Sequence, residues 1–227
     1  MVLQTVTTLG AGVVFGLALA APPGPMNAII AEESVLRGWS AGFRAGLGAM
    51  TADFCFFLLS LAGLVALVDR RPLLRAVMVG IGGLLMLYFA YGAARGVRET
   101  LSPEPGTDGE SNGFRKAFVL ALTNPYQILF WLTVGVGLLK PGTHDLLAET
   151  PYVGDQLAGT LVVQTGSVAL LLGLFGGIVV WIVGFPATLV AARRRVDSLA
   201  PLVAGGSAVV LVGFGVAFLW DALSTLL

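Results

Sequence analysis

The chain has 227 residues, of which 56% are hydrophobic and only 11% charged. Soluble globular proteins carry roughly 25% charged residues, so this composition describes an integral membrane protein. Thirteen basic and thirteen acidic residues cancel, which argues against a nucleic-acid partner, and the single cysteine, Cys55, excludes a dithiol relay within the chain.

Residues 1 to 20 end in Ala18-Leu19-Ala20, which resembles a signal-peptidase site. No Lys or Arg precedes Arg37, however, and more apolar sequence follows, so the segment is read as a retained first span. The apolar runs are Thr5 to Ile30, Ala45 to Val68, Leu73 to Ala94, Ala117 to Leu139, Leu161 to Ala191 and Leu202 to Leu223. Each reaches the ~20 residues needed to cross a hydrocarbon core of about 30 Å, so six transmembrane helices are expected. The first run contains Ala21-Pro22-Pro23-Gly24-Pro25-Met26-Asn27. Proline has no amide hydrogen and pushes its predecessor towards extended geometry, so residues 21 to 25 should be unwound. Backbone freed inside a bilayer must find partners in protein, water or a bound ligand.

The second and fifth runs are followed by short charged connections. Residues 96 to 116 carry Pro103, Pro105, Gly106 and Gly109 among polar neighbours and read as a flexible linker. One membrane domain, 1 to 227, is thereby divided into a first repeat of about 1–98, a linker of about 99–113 and a second repeat of about 114–227. The second repeat also opens on an interrupted run, Thr123-Asn124-Pro125-Tyr126-Gln127. Three spans on each side with broken first and fourth helices predict an all-α fold of two inverted three-helix repeats, the arrangement in which paired interruptions mark a transporter's binding site. Counted from the charges that bound their spans, Gly24, Asp53 and Asn124 each lie about 12 to 14 Å deep, near the midplane.

Asp53 is the one carboxylate in the middle of a span. Inserting it ionised costs roughly 2.5 to 3.5 kcal/mol, and its readings are a proton carrier, a partner for a substrate ammonium, or a protonated residue hydrogen-bonded to a neighbouring helix. Pro23, Gly24, Pro25 and Asn27 at one break, with Asn124 and Pro125 at the other, form the remaining candidate binding set. Tyr88 joins them if it faces a cavity; otherwise it is an interface anchor, as Tyr91, Trp131, Trp181 and Trp220 are expected to be. Gln127 and Gln164 read as interhelical hydrogen-bonding residues and His144 as a surface residue of a polar 140 to 157 loop without metal-ligand spacing. Gly12-x-x-x-Gly16, Gly42-x-x-x-Gly46, Gly92-x-x-x-Gly96 and Gly173-x-x-x-Gly177 have helix-packing spacing, which serves close packing within the chain or a homodimer.

The face carrying the first, third and fifth loops holds Arg37, Arg44, Arg95, Arg98, Arg115, Lys116 and Arg193 to Arg195, nine basic residues, against Arg70, Arg71, Arg75 and Lys140 on the other. The positive-inside bias then makes the first face cytoplasmic and puts both termini outside.

The ordered set Pro23-Gly24-Pro25-Met26-Asn27, Arg37-Gly38, Ala41-Gly42, Gly46, Asp53, Gly83 to Gly92 around Tyr88, Phe114 to Asn124-Pro125, and Gly206 and Gly213 in the last helix resembles the LysE/RhtB translocators that export amino acids. The resemblance covers most of the chain. It implies a secondary exporter of amino acids or related metabolites in the cytoplasmic membrane, coupled to an ion or proton gradient, with small-molecule substrate and membrane lipid as partners and no cofactor. No Gly-x-x-x-x-Gly-Lys-Ser/Thr loop occurs, which argues against ATP-driven transport by this chain, and no span holds a histidine or paired acids for catalysis. A membrane scaffold or assembly subunit, or an exporter of another small solute such as a metal ion, stands as the alternative.

Overall fold

The computed structural model describes residues 2–63, 72–101, 112–145, 162–196 and 199–226. Among these residues the regular structure is helical apart from one short two-stranded antiparallel sheet. In order, the elements are α1 (Val2–Ala20), α2 (Pro25–Arg37), α3 (Trp39–Leu61), α4 (Pro72–Leu101), α5 (Gly113–Thr123), α6 (Pro125–Phe130), a π-helical turn (Trp131–Gly135), α7 (Val136–Leu139), β1 (Gly142–Asp145), β2 (Val162–Thr165), α8 (Val168–Arg193) and α9 (Leu199–Leu226). Five of these helices, α1, α3, α4, α8 and α9, are long and apolar enough to cross a membrane. The fourth run, expected to be interrupted, ends one helix at Asn124 and contains the π-helical turn. Helix α4 continues to Leu101, into the residues expected to begin the linker; Gly109 and the loop after the second run lie outside the described residues.

The chain forms two compact units. The first comprises Met1–Pro22 and Thr133–Trp181. Its helices α1 and α8 meet through glycines: a Cβ at Gly12 would stand 2.4 Å from the Leu170 carbonyl oxygen, and one at Gly177 2.2 Å from that of Val13. Only residues without side chains let two backbones approach so closely. Antiparallel strands β1 and β2 pair Gly142 with Thr165. Gln164 lies on β2 and donates its backbone N–H to Thr8 Oγ1 at 3.3 Å, so its expected place in a helix is corrected. Strand geometry wins at 162–165 because Val162, Val163 and Thr165 are β-branched, and Gly166, at φ +71°, ends the strand before α8 begins. His144 is on β1, its side chain outside the described residues.

The second unit comprises Pro23–Leu132 and Ile182–Leu227. Helices α2 and α3 form a helical hairpin around one residue, Gly38, whose φ of +91° is the left-handed region that glycine alone enters without strain. Gly42 on α3 then packs on Ser34 of α2, and Gly46 on Ile182 of α8. Helix α5 lies on the Gly48 face of α3, and α4 packs along α9 through Gly83 and Gly215. Ile29, Ile30, Val79, Met86, Leu120, Leu211 and Phe218 are buried in its core. Three of the four glycine pairs thus contribute to packing within the chain, while Gly92 has open space around it.

Candidate functional site

The first break occupies Ala21 to Gly24, where helical structure stops and Gly24 is extended. Pro25 is already the first residue of α2, a correction to the expectation that it is unwound. Its missing amide hydrogen has no partner to lose at a helix start, and its ring fixes φ at a helical value. Pro23 is exposed, Pro25 buried, and Gly24 and Asn27 partly buried. One turn into α2, the carbonyl of Ala28 accepts the Ser207 hydroxyl of α9 at 2.9 Å. Ser207 is a contact that the sequence pattern did not single out.

The second break is sharper. Asn124 ends α5 at φ −77° and ψ 112°, the extended geometry that a following proline imposes, and its carbonyl accepts the amides of Gln127 and Ile128 at 3.1 Å. Pro125 starts the short α6, which opens into the π-helical turn at Trp131. Such turns widen the hydrogen-bonding pattern by one residue and recur at functional sites. Asn124, Gln127 and Trp131 are spaced by three and four residues, as helix positions on one face are, and all three are buried.

Asp53 meets that face. The indole Nε1–H of Trp131 donates to Asp53 Oδ1 at 2.9 Å, and Gln127 is a second side-chain hydrogen-bond partner of the carboxyl. Asp53 is 5% exposed and Trp131 1%. Trp131 is therefore no interface anchor; its one polar atom is used inside the protein. Its carbonyl accepts the Ser60 hydroxyl at 3.4 Å, and its ring lies 6.0 Å from that of Phe57, so α3 holds the tryptophan from both ends. Gly24 is fourteen residues before the Gly38 corner and Asp53 fifteen after it. At 1.5 Å per residue both lie about 21 to 23 Å along their arms from that corner.

Tyr88 is elsewhere. It is 69% exposed on α4 and lines a cavity of about 380 Å³ together with Arg115 and Lys116. Its ring contact is with Phe89, at 5.5 Å between centroids.

A second polar cluster was invisible in the sequence, where Glu32 served only to mark a membrane face. Glu33 is 1% exposed and Glu32 7%. Glu33 Oε1 accepts Arg37 Nη1 at 3.0 Å and lies 3.5 Å from Lys116 Nζ of α5. At the same end Arg193 of α8 donates to the carbonyl of Val35. Burial raises the Glu32 carboxyl above its usual range; Lys116 opposes the rise, Glu33 adds to it and Arg37 opposes it. Among the described residues no group of three or more His, Cys, Asp or Glu is placed to hold a metal.

The profile of the LysE type translocator family matches residues 17–222. The chain belongs to this family. It is a multi-pass membrane transporter and not an enzyme. An uncharacterized membrane protein of Pseudomonas aeruginosa is 29% identical over 211 residues, 90% of either chain. A Bacillus subtilis protein whose name provisionally assigns amino acid efflux is 32% identical over 124 residues, 54% of this chain and 59% of that one. The leucine efflux protein of an Enterobacter strain is 27% identical over 135 residues, 56% of this chain and 64% of its own. The match thus spans less than two thirds of each efflux protein. No solved structure matches.

Proposed function

We propose that this LysE type translocator exports amino acids or closely related metabolites, driven by an ion or proton gradient, with Asp53 as the coupling residue. The names of the partial efflux relatives support the substrate class. The observation that carries the mechanism is the pairing of Asp53 with Trp131 and Gln127 beside the second helix break. Trp131 can only donate, so it requires an acceptor oxygen from Asp53 in either protonation state. Gln127 has both a carbonyl and an NH₂ group, so it serves a carboxylate as donor or a carboxylic acid as acceptor. The three residues together accommodate a carboxyl that gains and loses a proton.

In this reading the breaks at 21–24 and at Asn124 belong to inverted repeats, and their freed backbone groups hold the charged groups of a zwitterion. The end bearing Arg37, Lys116 and Arg193 faces the cytoplasm and both termini lie outside. The test is Asp53→Asn, purified and reconstituted in proteoliposomes. Gradient-driven export of a labelled amino acid should fall at least about tenfold, the size of a change of roughly 1.4 kcal/mol, while substrate exchange without a gradient survives. Loss of both activities would assign Asp53 to the substrate ammonium instead. Undiminished rates in both would leave it a structural hydrogen-bonding residue.

A further inference from the structure

On α4, Val77, Ile81, Leu84, Tyr88 and Tyr91 are all exposed, at intervals of four, three, four and three residues. They form one narrow stripe along a helix of membrane-crossing length, and such a face meets acyl chains. At Tyr88, one turn before its last residue, the stripe runs into the cavity of about 380 Å³, whose wall changes character: Asn112, which precedes α5, and Arg115 and Lys116 within α5 supply polar and cationic groups. Arg115 is exposed and enters no salt bridge among the described residues. The Lys116 ammonium sits 5.8 Å over the Phe89 ring, with Glu33 on its other side. An amphiphile with a negative head and a hydrocarbon tail matches this sequence of surfaces in order. A soluble anion would use the basic end and leave the stripe unexplained.

From this continuity the geometry points to a binding site for an anionic phospholipid, with its phosphate at Arg115 and Lys116, hydrogen bonds from Tyr88 and Asn112, and an acyl chain along Leu84, Ile81 and Val77. Basic pockets beside membrane helices hold anionic headgroups by this combination of charge and apolar contact. The site is separate from Asp53 and holds α4 to the start of α5.

The test is lipid retention by the full-length protein in native mass spectrometry, with thermal unfolding in nanodiscs as a second readout. The wild type should retain phosphatidylglycerol over phosphatidylcholine and unfold at higher temperature when phosphatidylglycerol is present. Arg115→Gln combined with Tyr88→Phe should reduce that retention about tenfold, and Arg115→Lys should keep most of it. Arg44→Gln, which removes one charge from α3, should leave it unchanged. Inorganic phosphate added to phosphatidylcholine nanodiscs should give no thermal shift. Equal retention of the two lipids, full retention by the double variant, an equal loss in Arg44→Gln, or a phosphate shift matching that of the lipid would each overturn the assignment. So would a stripe that remains covered by a second copy of the chain when the lipid is removed.

Discussion

Glu32 is a carboxylate placed where its charge is disfavoured. Burial raises its pKa from the ordinary 4.5, against the partial relief given by Lys116, with Glu33 adding to the rise and Arg37 reducing it. The sign of the consequence follows from linkage: below about pH 4.5 the group is neutral in the folded and unfolded chain, and its burial carries no charge penalty. As pH rises through the folded pKa the penalty appears and stability is lost. Thermal unfolding in detergent between pH 4.5 and 8 should therefore show the wild type losing stability with rising pH and Glu32→Gln losing less of it; parallel profiles would mean that Glu32 is solvated. Asp53 was legible in the sequence because a lone acid inside an apolar run has few bland explanations. Trp131 was not, because composition assigns membrane tryptophans to the interface, and only its spacing from Asn124 and Gln127 hinted at a polar face. The burial of Glu33 was equally hidden, since its partner Lys116 lies far along the chain.

Helix breaks are more legible in a sequence than helix seams for a physical reason. Proline acts locally, so Pro23 and Pro125 announce interruptions wherever they fall, although Pro25 shows that a proline can also start a helix. The strand at Val162–Thr165 is not legible, because a short apolar run of β-branched residues has the same composition as the end of a membrane helix. Glycine seams are intermediate: the spacing is visible, but the partner is not. That distinction can be measured. A Cβ at Gly48 would stand 2.2 Å from the Phe114 carbonyl oxygen, within the α3–α5 contact, whereas one at Gly205 of α9 would meet nothing within 4 Å. Gly48→Ala should destabilise the protein by about 1–3 kcal/mol. Gly205→Ala should range from neutral to a gain of about 1 kcal/mol, because it replaces the most flexible backbone residue in a helix. Equal midpoints in thermal unfolding would show that the α3–α5 seam yields freely.

On the scale of the whole molecule, the end of α2, the start of α5 and the end of α8 in the second unit are joined by Lys116 to Glu33 and by Arg193 to the Val35 carbonyl. The first, third and fifth loops of the sequence pattern leave from these ends, which is why their basic residues can be counted together. In a Cys55→Ala background, Arg195→Cys should be shielded from an impermeant thiol reagent in intact cells and Thr225→Cys labelled. The opposite pattern would invert the proposed orientation. The one-residue corner at Gly38 also has a consequence for biosynthesis. Contacts between α2 and α3 need nothing synthesised later, so this hairpin can close early, with Glu33 already paired to Arg37. Lys116 emerges roughly fifty-five residues after α3 ends at Leu61, which at 5–20 residues per second is a wait of about 3 to 11 s. Over that interval the arginine four residues away is the near counter-ion, and the nascent hairpin carries its own charge compensation into the bilayer.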